Sequence, residues 1–338
     1  MNEERSIVDI TQFFEQNNTA PDMISSFEEA LRLNCQSKVD FEHSRLLLKY
    51  NMYLSSNGFL DLVSKDIADF CNFVMENNKD ITLTIRGRIK SIVRLEEKFN
   101  GYVMEYCSQY YSKHQEFPTE AMVVKYLGRI RDIIAYRIII SIPEKNLKGR
   151  KKSEQELIAL YQIANYFPSF FTKLGYSMED ASSIKDGLRR KKKVSLLSEE
   201  NKRFFKDYVD RPKRNGYKSL HISLKDNRPI KGLPLFSNVE VQMRTFEMDC
   251  FTELGDDSKH EIYEKRQAEK RENQELPLGI CKYYDCAVAR YNSLHNYDFT
   301  KAKIDHFKAI RLPDGSVVFN DHAGVKFGRE IDPREYLS

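Results

Sequence analysis

The sequence has 338 residues, of which 41% are apolar and 31% are charged, and its formal net charge is +4. This balance excludes an intrinsically disordered chain, because enough apolar side chains are present to form a large core. No run approaches about 18 consecutive apolar residues, so no membrane span is expected. The net charge is too small to indicate nucleic-acid binding by itself.

The six cysteines are scattered along the chain and form no Cys-x-x-Cys pair. The N-terminus shows no signal-peptide pattern. Together these features predict reduced thiols in a cytoplasmic protein.

The first 80 residues have helical periodicity and predict a helical layer. Ser25 precedes acidic residues and a periodic apolar face, which predicts a capped helix start at that position. A second helix is predicted over residues 61–75, where Val63, Ile67, Phe70 and Val74 have helical spacing.

The middle of the chain alternates between strand and helix patterns. Residues 81–85 alternate and are β-branched, so they predict a strand, and a helix is predicted over residues 91–99. The isoleucine-rich end of residues 130–142 indicates a buried strand. Residues 155–176 return to helical spacing, and residues 177–207 are polar and basic, as expected of a flexible or lid-like segment.

Strand patterns return at residues 220–224 and 239–243, and a polar helix is predicted over residues 247–270. A Pro-Asp-Gly turn at residues 313–315 between two short apolar runs predicts a β-hairpin. The predicted fold class is therefore α/β (α+β), a mixed β-sheet flanked by helices, with a helical N-terminal extension and a short C-terminal hairpin.

The first candidate site is a basic stretch that begins at the end of the first predicted strand. Arg88 and Lys90 alternate outward there, while Arg94 and Lys98 lie one helical turn apart. Such a cluster forms a cationic cradle suited to a triphosphate. A solvated basic helix is the alternative interpretation.

The second candidate is Asp132, which precedes the buried strand. A carboxylate at this position costs free energy unless it is paired or binds a cation. A salt bridge or a helix cap explains it equally well.

The third candidate is the loop and strand over residues 211–221. Asn215-Gly216 predicts a tight turn, and Tyr217 and His221 are four residues apart, which places them on one strand face. This face could stack a base and contact phosphates, with Lys213 and Lys218 supplying positive charge. A structural histidine is the alternative.

The fourth candidate is the strand that carries Glu240, Gln242 and Arg244. Alternation places these three side chains on one face of the strand. If Glu240 lies opposite Asp132, the two carboxylates could share Mg²⁺, which favours hard oxygen ligands. A half-solvated strand face is the alternative.

These four segments, in this order, resemble the synthetase domain of the RelA/SpoT homologue family. The stretch from Gly87 to Ser91 looks like its ATP-binding basic motif, and residues 132–137 look like its Asp-Ile-Ala-Gly-x-Arg motif. Residues 215–221 are similar to its Asn-Gly-Tyr-Arg-Ser-Leu-His loop, except that Lys218 replaces arginine. Residues 240–245 are similar to its Glu-Ile-Gln-Ile-Arg-Thr strand.

The resemblance implies that the chain transfers pyrophosphate from ATP to the 3′-hydroxyl of GTP or GDP, giving the alarmone (p)ppGpp. Arg88 and Arg137 would sandwich adenine, and Lys90 and Lys98 would hold the ATP phosphates. Asp132 and Glu240 would bind Mg²⁺, and Glu240 would help to deprotonate the attacking hydroxyl.

On the acceptor side, the resemblance implies that Tyr217 stacks on the base. Lys213, Lys218 and His221 would hold the acceptor phosphates, with Gln242 and Arg244 supporting the site. Members of the family are often homo-oligomers, which leaves an oligomer open for this chain.

The resemblance also implies a nucleotidyltransferase-like synthetase domain over residues 81–270, between extensions at 1–80 and 271–338. No His-Asp dipeptide occurs, so we expect no hydrolase domain. Two other interpretations stay open. The basic segment 185–193 keeps a toxin-type synthetase that modifies the 3′ end of tRNA or an adenosine nucleotide under consideration, and an inactive interaction module is the third.

Overall fold

The computed structural model describes residues 7–55, 57–181, 194–227, 237–253, 276–304, 309–311, 317–319 and 325–327. The chain forms two compact units, each built from separated segments. The first unit contains residues 1–57, 90–130 and 267–325, and the second contains residues 58–89, 131–266 and 326–338. The domain boundaries predicted at residues 80 and 270 stay a prediction. The two units do not test these boundaries, because each unit combines segments from separate parts of the chain.

The helices and strands alternate in the order that the mixed pattern of the sequence predicts. The α-helices are α1 (Thr11–Phe14), α2 (Ala20–Leu33), α3 (Lys38–Ser55), α4 (Asn57–Asn77), α5 (Ile92–His114), α6 (Glu120–Leu127), α7 (Lys152–Lys173), α8 (Phe246–Glu253) and α9 (Lys282–Asn296). The strands are β1 (Thr82–Ile89), β2 (Ile134–Ser141), β3 (Tyr176–Met178), β4 (Phe205–Asp207), β5 (Leu220–Asp226), β6 (Ser237–Thr245), β7 (Ala309–Arg311), β8 (Val317–Phe319) and β9 (Val325–Phe327).

The first unit is mainly helical, with α2 packed on α3 and α9 packed on α5. Its core contains residues from near the N-terminus and residues from near position 300. The ring of Phe14 is fully buried and lies 5.0 Å from that of Tyr297 and 5.5 Å from that of Phe299. The Lys303 N–H donates to the Phe14 carbonyl at 3.0 Å. Residues near the N-terminus therefore complete their packing only with residues near position 300.

The predicted helix start at Ser25 is wrong, because α2 begins at Ala20. Thr19 is the N-cap, and its hydroxyl accepts from the Asp22 N–H, with Pro21 in the first turn. Proline suits this place because the first helical N–H groups have no partner within the helix. The Thr-x-x-Asp pattern supplied the stronger start signal, and Ser25 lies inside the helix.

The second unit contains a mixed sheet, which confirms the predicted fold class. Within the described residues the strand order is β3-β5-β6-β2-β1-β9, and β4 also pairs with β5. The β2–β6 pair is parallel, whereas β1–β2, β5–β6, β3–β5 and β4–β5 are antiparallel. The basic residues at 86–88 belong to β1, which runs four residues beyond the predicted strand end at Ile85.

Helices α4 and α7 cover the apolar face of this sheet. Phe70 of α4 lies 4.9 Å from Phe167 of α7 between ring centroids. The Ser64 and Tyr136 hydroxyls lie 2.7 Å apart, which ties α4 to β2. The isoleucine-rich strand is buried as predicted, because its apolar side chains fill the space under both helices.

Several predicted features lie partly outside the described residues. The hairpin is confirmed by antiparallel pairing of β7 with β8, although its turn at 312–316 is not described. The polar helix predicted over 247–270 is described only as α8, and the basic segment 185–193 lies outside the described residues. Among the helices that are described, none combines the length and apolar character needed to cross a bilayer.

Candidate active site

Polar side chains from four neighbouring strands share one face of the sheet in the second unit. Strand register aligns Arg86 with Arg137, Arg137 with Gln242, and Gln242 with His221. Residues paired across neighbouring strands have their side chains on the same face. The alternation predicted for Glu240, Gln242 and Arg244 is confirmed by the burial of Val239, Val241 and Met243 on the opposite face.

Four of these polar side chains and Tyr217, from the loop before β5, form a closed ring of hydrogen bonds. The Glu240 carboxylate lies 3.2 Å from His221 Nδ1 and accepts from Gln242 Nε2 at 2.8 Å. Gln242 Oε1 in turn accepts from Arg244 at 2.9 Å. Arg244 also donates to the Tyr217 hydroxyl at 2.6 Å, and that hydroxyl lies 2.8 Å from His221 Nε2. The ring gives both oxygens of Glu240 a fixed partner.

The chemistry of the ring determines the tautomer of His221. A guanidinium only donates, so the Tyr217 hydroxyl accepts from Arg244 and is left to donate to His221 Nε2. The proton of a neutral imidazole then lies on Nδ1 and points to Glu240. Burial lowers the pKa of His221 and outweighs the opposing attraction of Glu240, so the imidazole is neutral near pH 7.

The same contacts keep Glu240 ionised. Burial raises the pKa of its carboxyl group, but the hydrogen-bonded contact with His221 and the hydrogen bond from Gln242 outweigh burial. The net pKa of Glu240 lies below its ordinary value. An ionised carboxylate with fixed partners suits cation binding.

Asp132 lies in the loop that enters β2 and is half-buried. Its negative charge opposes ionisation of Glu240 and so raises the pKa of that carboxyl group. A divalent cation would relieve this repulsion, and Mg²⁺ is commonly held by one or two carboxylates together with water and phosphate. Among the described residues no group of three or more His, Cys, Asp or Glu is arranged around one point. Two carboxylates are a donor set that Mg²⁺ would take together with ligands from water and a bound polyphosphate.

The loop before β5 holds Tyr217 in place through a tight turn. The Gly216 N–H donates to the Lys213 carbonyl at 2.9 Å, and the Tyr217 N–H donates to the Asn215 side chain at 3.2 Å. Gly216 has a φ of +81°, a conformation that favours glycine. Contrary to the prediction, Tyr217 precedes β5, and the turn rather than strand alternation brings its hydroxyl to His221.

Tyr208 is a residue of this site that the sequence analysis missed. Its ring lies 5.1 Å from that of His221 and 6.1 Å from that of Tyr217. The Lys213 ammonium lies 4.9 Å from the centroids of both tyrosine rings. Such positions allow cation–π attraction. Tyr208 follows Asp207 just before the basic loop, but no local sequence pattern places this tyrosine near His221.

Asp249 of α8 is the second missed residue. Its carboxylate lies 3.0 Å from Arg137, 3.2 Å from Arg244 and 3.4 Å from Arg86. The three arginines come from β2, β6 and β1, so one carboxylate joins three strands. The sequence gives no signal for this contact, because it depends on the register of strands that are distant in the chain.

The remaining predicted residues lie in different places. Arg88 on β1 is exposed, with its guanidinium free of any ion pair to a described residue, and Lys218 is half-buried in the loop before β5. Lys90 and Lys98 belong to the first unit, where the Lys90 carbonyl accepts from Tyr50 and the Lys98 ammonium lies 5.3 Å from the Tyr102 ring centroid. The predicted nucleotide contacts of all four residues stay predictions.

Comparison with known proteins places these segments in a recognised family. The family model described as the region found in RelA / SpoT proteins matches residues 87–268, which is more than half of the chain. The match includes Asp132, the basic loop, and the strand that carries Glu240.

Two curated relatives match over shorter stretches. GTP diphosphokinase CRSH1, chloroplastic, from Oryza sativa subsp. japonica is 35% identical over 89 residues, which is 26% of this chain and 15% of that protein. A probable guanosine-3′,5′-bis(diphosphate) 3′-pyrophosphohydrolase from Mycoplasma genitalium is 39% identical over 99 residues, 29% of this chain and 11% of that protein. The aligned stretches thus span less than a sixth of either relative.

Among solved structures, small alarmone synthetase 2 from Bacillus subtilis is 18% identical, with a TM-score of 0.34, and the match covers 74% of this chain and 94% of that one. The family model, which covers the polar sheet face and its loop, is the match that assigns the chain. The protein belongs to the RelA/SpoT family.

Proposed function

We propose that this protein is a pyrophosphokinase that transfers the β,γ-pyrophosphate of ATP to the ribose 3′-hydroxyl of GTP or GDP, breaking the bond between the α- and β-phosphates and releasing AMP. The observation that carries the proposal is the closed ring that holds Glu240 ionised on a sheet face rich in arginine, where the charge of Asp132 also acts on it. The family assignment and the name of the Oryza relative, a GTP diphosphokinase, agree with it.

The site meets the main physical demand of phosphoryl transfer, which is positioning and charge neutralisation rather than covalent chemistry. Arg88 and Arg137 lie on adjacent strands of one face, where they would bind the adenine of ATP. Lys90 and Lys98 would hold its phosphates. Mg²⁺ held by Asp132 and Glu240 would neutralise charge that develops on the transferred group.

Glu240 has a specific task toward the acceptor. Its pKa lies below the ordinary value, so it is ionised and can accept a hydrogen bond from the attacking 3′-hydroxyl. The ring restricts its orientation, since both oxygens already have a partner. His221, neutral and with its proton on Nδ1, keeps the carboxylate aligned without adding a positive charge.

The acceptor would bind along the loop over residues 213–218. Lys213, Lys218 and His221 would contact its phosphates, and Tyr217 would stack on its base. The Lys213 ammonium lies 4.9 Å from the Tyr217 ring centroid. A base can stack on the ring face that Lys213 covers only if the ammonium moves, and the acceptor phosphates offer it an alternative partner.

Transfer of label from ATP tests this proposal. The protein is incubated with ATP labelled in its γ-phosphate, Mg²⁺, and GDP, GTP, ATP or deacylated tRNA in separate reactions. Glu240→Gln removes the charge of the predicted catalytic residue. Glu156→Gln is the matched control, because Glu156 is 1% exposed in the same unit but accepts from the Ile142 N–H, away from the polar ring.

We expect label to move to GDP or GTP, to be lost in Glu240→Gln and to be retained in Glu156→Gln. Label that moves only to tRNA or to ATP would replace the acceptor with that of a toxin-type synthetase. No transfer to any of the four acceptors would contradict the enzymatic proposal. A cytoplasmic location and homo-oligomer formation stay predictions, and the Oryza relative is chloroplastic by name.

A further inference from the structure

Asp249 makes contacts that a single surface ion pair does not explain. Its side chain is 7% exposed, and three guanidinium groups approach it within 3.4 Å. Arg137 and Arg244 share Oδ1, and Arg86 approaches Oδ2. One carboxylate thus contacts three guanidinium groups.

The three guanidinium groups around Asp249 carry like charges. Like charges at such short range repel, and groups that are partly buried are screened less by solvent and salt than a surface pair. The Nε atoms of Arg86 and Arg244 are buried and make no hydrogen bond with a described residue. A buried donor without a partner is costly, so the arginines are held in this arrangement by their other contacts, above all those to Asp249.

Asp249 also connects two parts of the polar face, the predicted ATP-binding part and the hydrogen-bonded ring. Arg137 is the predicted adenine contact, and Arg244 belongs to the hydrogen-bonded ring that holds Glu240. Helix α8 begins at Phe246 immediately after β6, and the Thr245 hydroxyl accepts from the Met248 N–H in its first turn. This start fixes α8 against the sheet and brings Asp249 over the arginines.

We propose that Asp249 is a positioning residue that holds Arg137 and Arg244 in the geometry required for ATP binding and transfer. The inference rests on the proposed function. It assigns Asp249 no contact with substrate, since its oxygens are engaged by the arginines. The competing explanation is that Asp249 only fastens α8 to the sheet, in which case its loss lowers stability and leaves ATP binding unchanged.

Three variants separate these explanations. Asp249→Asn keeps the shape but removes the charge, and Asp249→Glu restores the charge with one more methylene group. Asp66→Asn is the matched control, because Asp66 is a buried carboxylate of the same unit that accepts from the Tyr176 hydroxyl at 2.7 Å, away from the arginines. Affinity for a non-hydrolysable ATP analogue is measured by calorimetry, and kcat and KM for ATP are measured beside the melting temperature.

We expect Asp249→Asn to weaken binding of the analogue by about tenfold or more and to raise KM for ATP correspondingly, since a charged partner of Arg137 is lost. Asp249→Glu is expected to recover part of this loss, and Asp66→Asn to bind as the unaltered protein does. In an Arg137→Ala background, Asp249→Asn should add little, because the two residues act through one contact.

Two results would overturn the inference. If Asp249→Asn binds the analogue as tightly as Asp66→Asn does, or more tightly, the carboxylate does not position the arginines for ATP, even though the enzyme is active. If the unaltered protein neither binds the analogue nor transfers label, the proposed function fails and this inference fails with it.

Discussion

The two units both bury charged side chains, but they pair them differently. In the first unit Arg290 and Asp40 form a one-to-one pair at 2.8 Å, with both side chains at most 6% exposed. In the second unit three arginines share Asp249, and the charge of Asp132 acts on Glu240. A one-to-one pair leaves each buried charge with a partner, whereas several like charges gathered on one sheet face are suited to a charged ligand.

The largest expected effect is on stability, in the first unit. Arg290→Met leaves Asp40 buried without its cationic partner, which we expect to lower the free energy of unfolding by about 3–5 kcal/mol. Arg45→Met is the matched control, because Arg45 is 53% exposed and its pair with Glu42 is expected to contribute about 0–1 kcal/mol. Urea unfolding measures both. Equal losses in the two variants would show that burial does not distinguish these pairs.

The next effect is on activity, in the second unit. Tyr217→Phe opens the ring by removing the hydroxyl that joins Arg244 to His221. We expect kcat/KM to fall about tenfold, because the ring that orients Glu240 is opened. The free energy of unfolding is expected to fall by about 1–3 kcal/mol, because Arg244 and His221 lose a buried hydrogen-bond partner. Tyr166→Phe, on the exposed side of α7, is the control. Unchanged kcat/KM in Tyr217→Phe would show that the ring is dispensable.

The smallest effect concerns the turn that carries Tyr217. Gly216→Ala forces a side chain onto a residue with a φ of +81°, and the new Cβ would lie 3.2 Å from the Phe251 ring. Gly149→Ala has a similar φ of +77° with no atom within 4 Å, so it isolates the backbone cost. We expect each substitution to lower the free energy of unfolding by about 1 kcal/mol. Only Gly216→Ala is expected to raise KM for the acceptor. Equal KM values in the two variants would contradict the placement of the acceptor at this turn.

Local sequence patterns predicted several strands of the sheet and the face of β6 that contributes to the site. The alternation of Glu240, Gln242 and Arg244 was readable because strand residues two apart share a face, and the apolar run after Asp132 identified β2. The helical N-terminal segments and the C-terminal hairpin were also predicted from local periodicity and turn residues. The start of α2 was misassigned because a serine inside a helix resembles a cap when only the acidic residues after it are considered.

The rest of the site depends on contacts between distant parts of the chain. Asp249 and Arg86 are 163 residues apart, and only the register of β1, β2 and β6 brings them together. Tyr208 reaches His221 because β4 pairs with β5, which no local pattern indicates. The tyrosines of α9 likewise find their partners only in the folded protein, where Tyr284 and Tyr291 are buried in the first unit.

The interleaved segments of the two units determine the order in which they can be completed during synthesis. The first unit needs α9, whose Arg290 pairs with Asp40 and whose neighbour Tyr297 packs on Phe14. The ribosome releases α9 after all the described strands that flank Glu240 have emerged. The apolar side chains of the N-terminal helices that pack on this region therefore stay exposed until translation has passed residue 300. A chaperone that shields them would act in that interval.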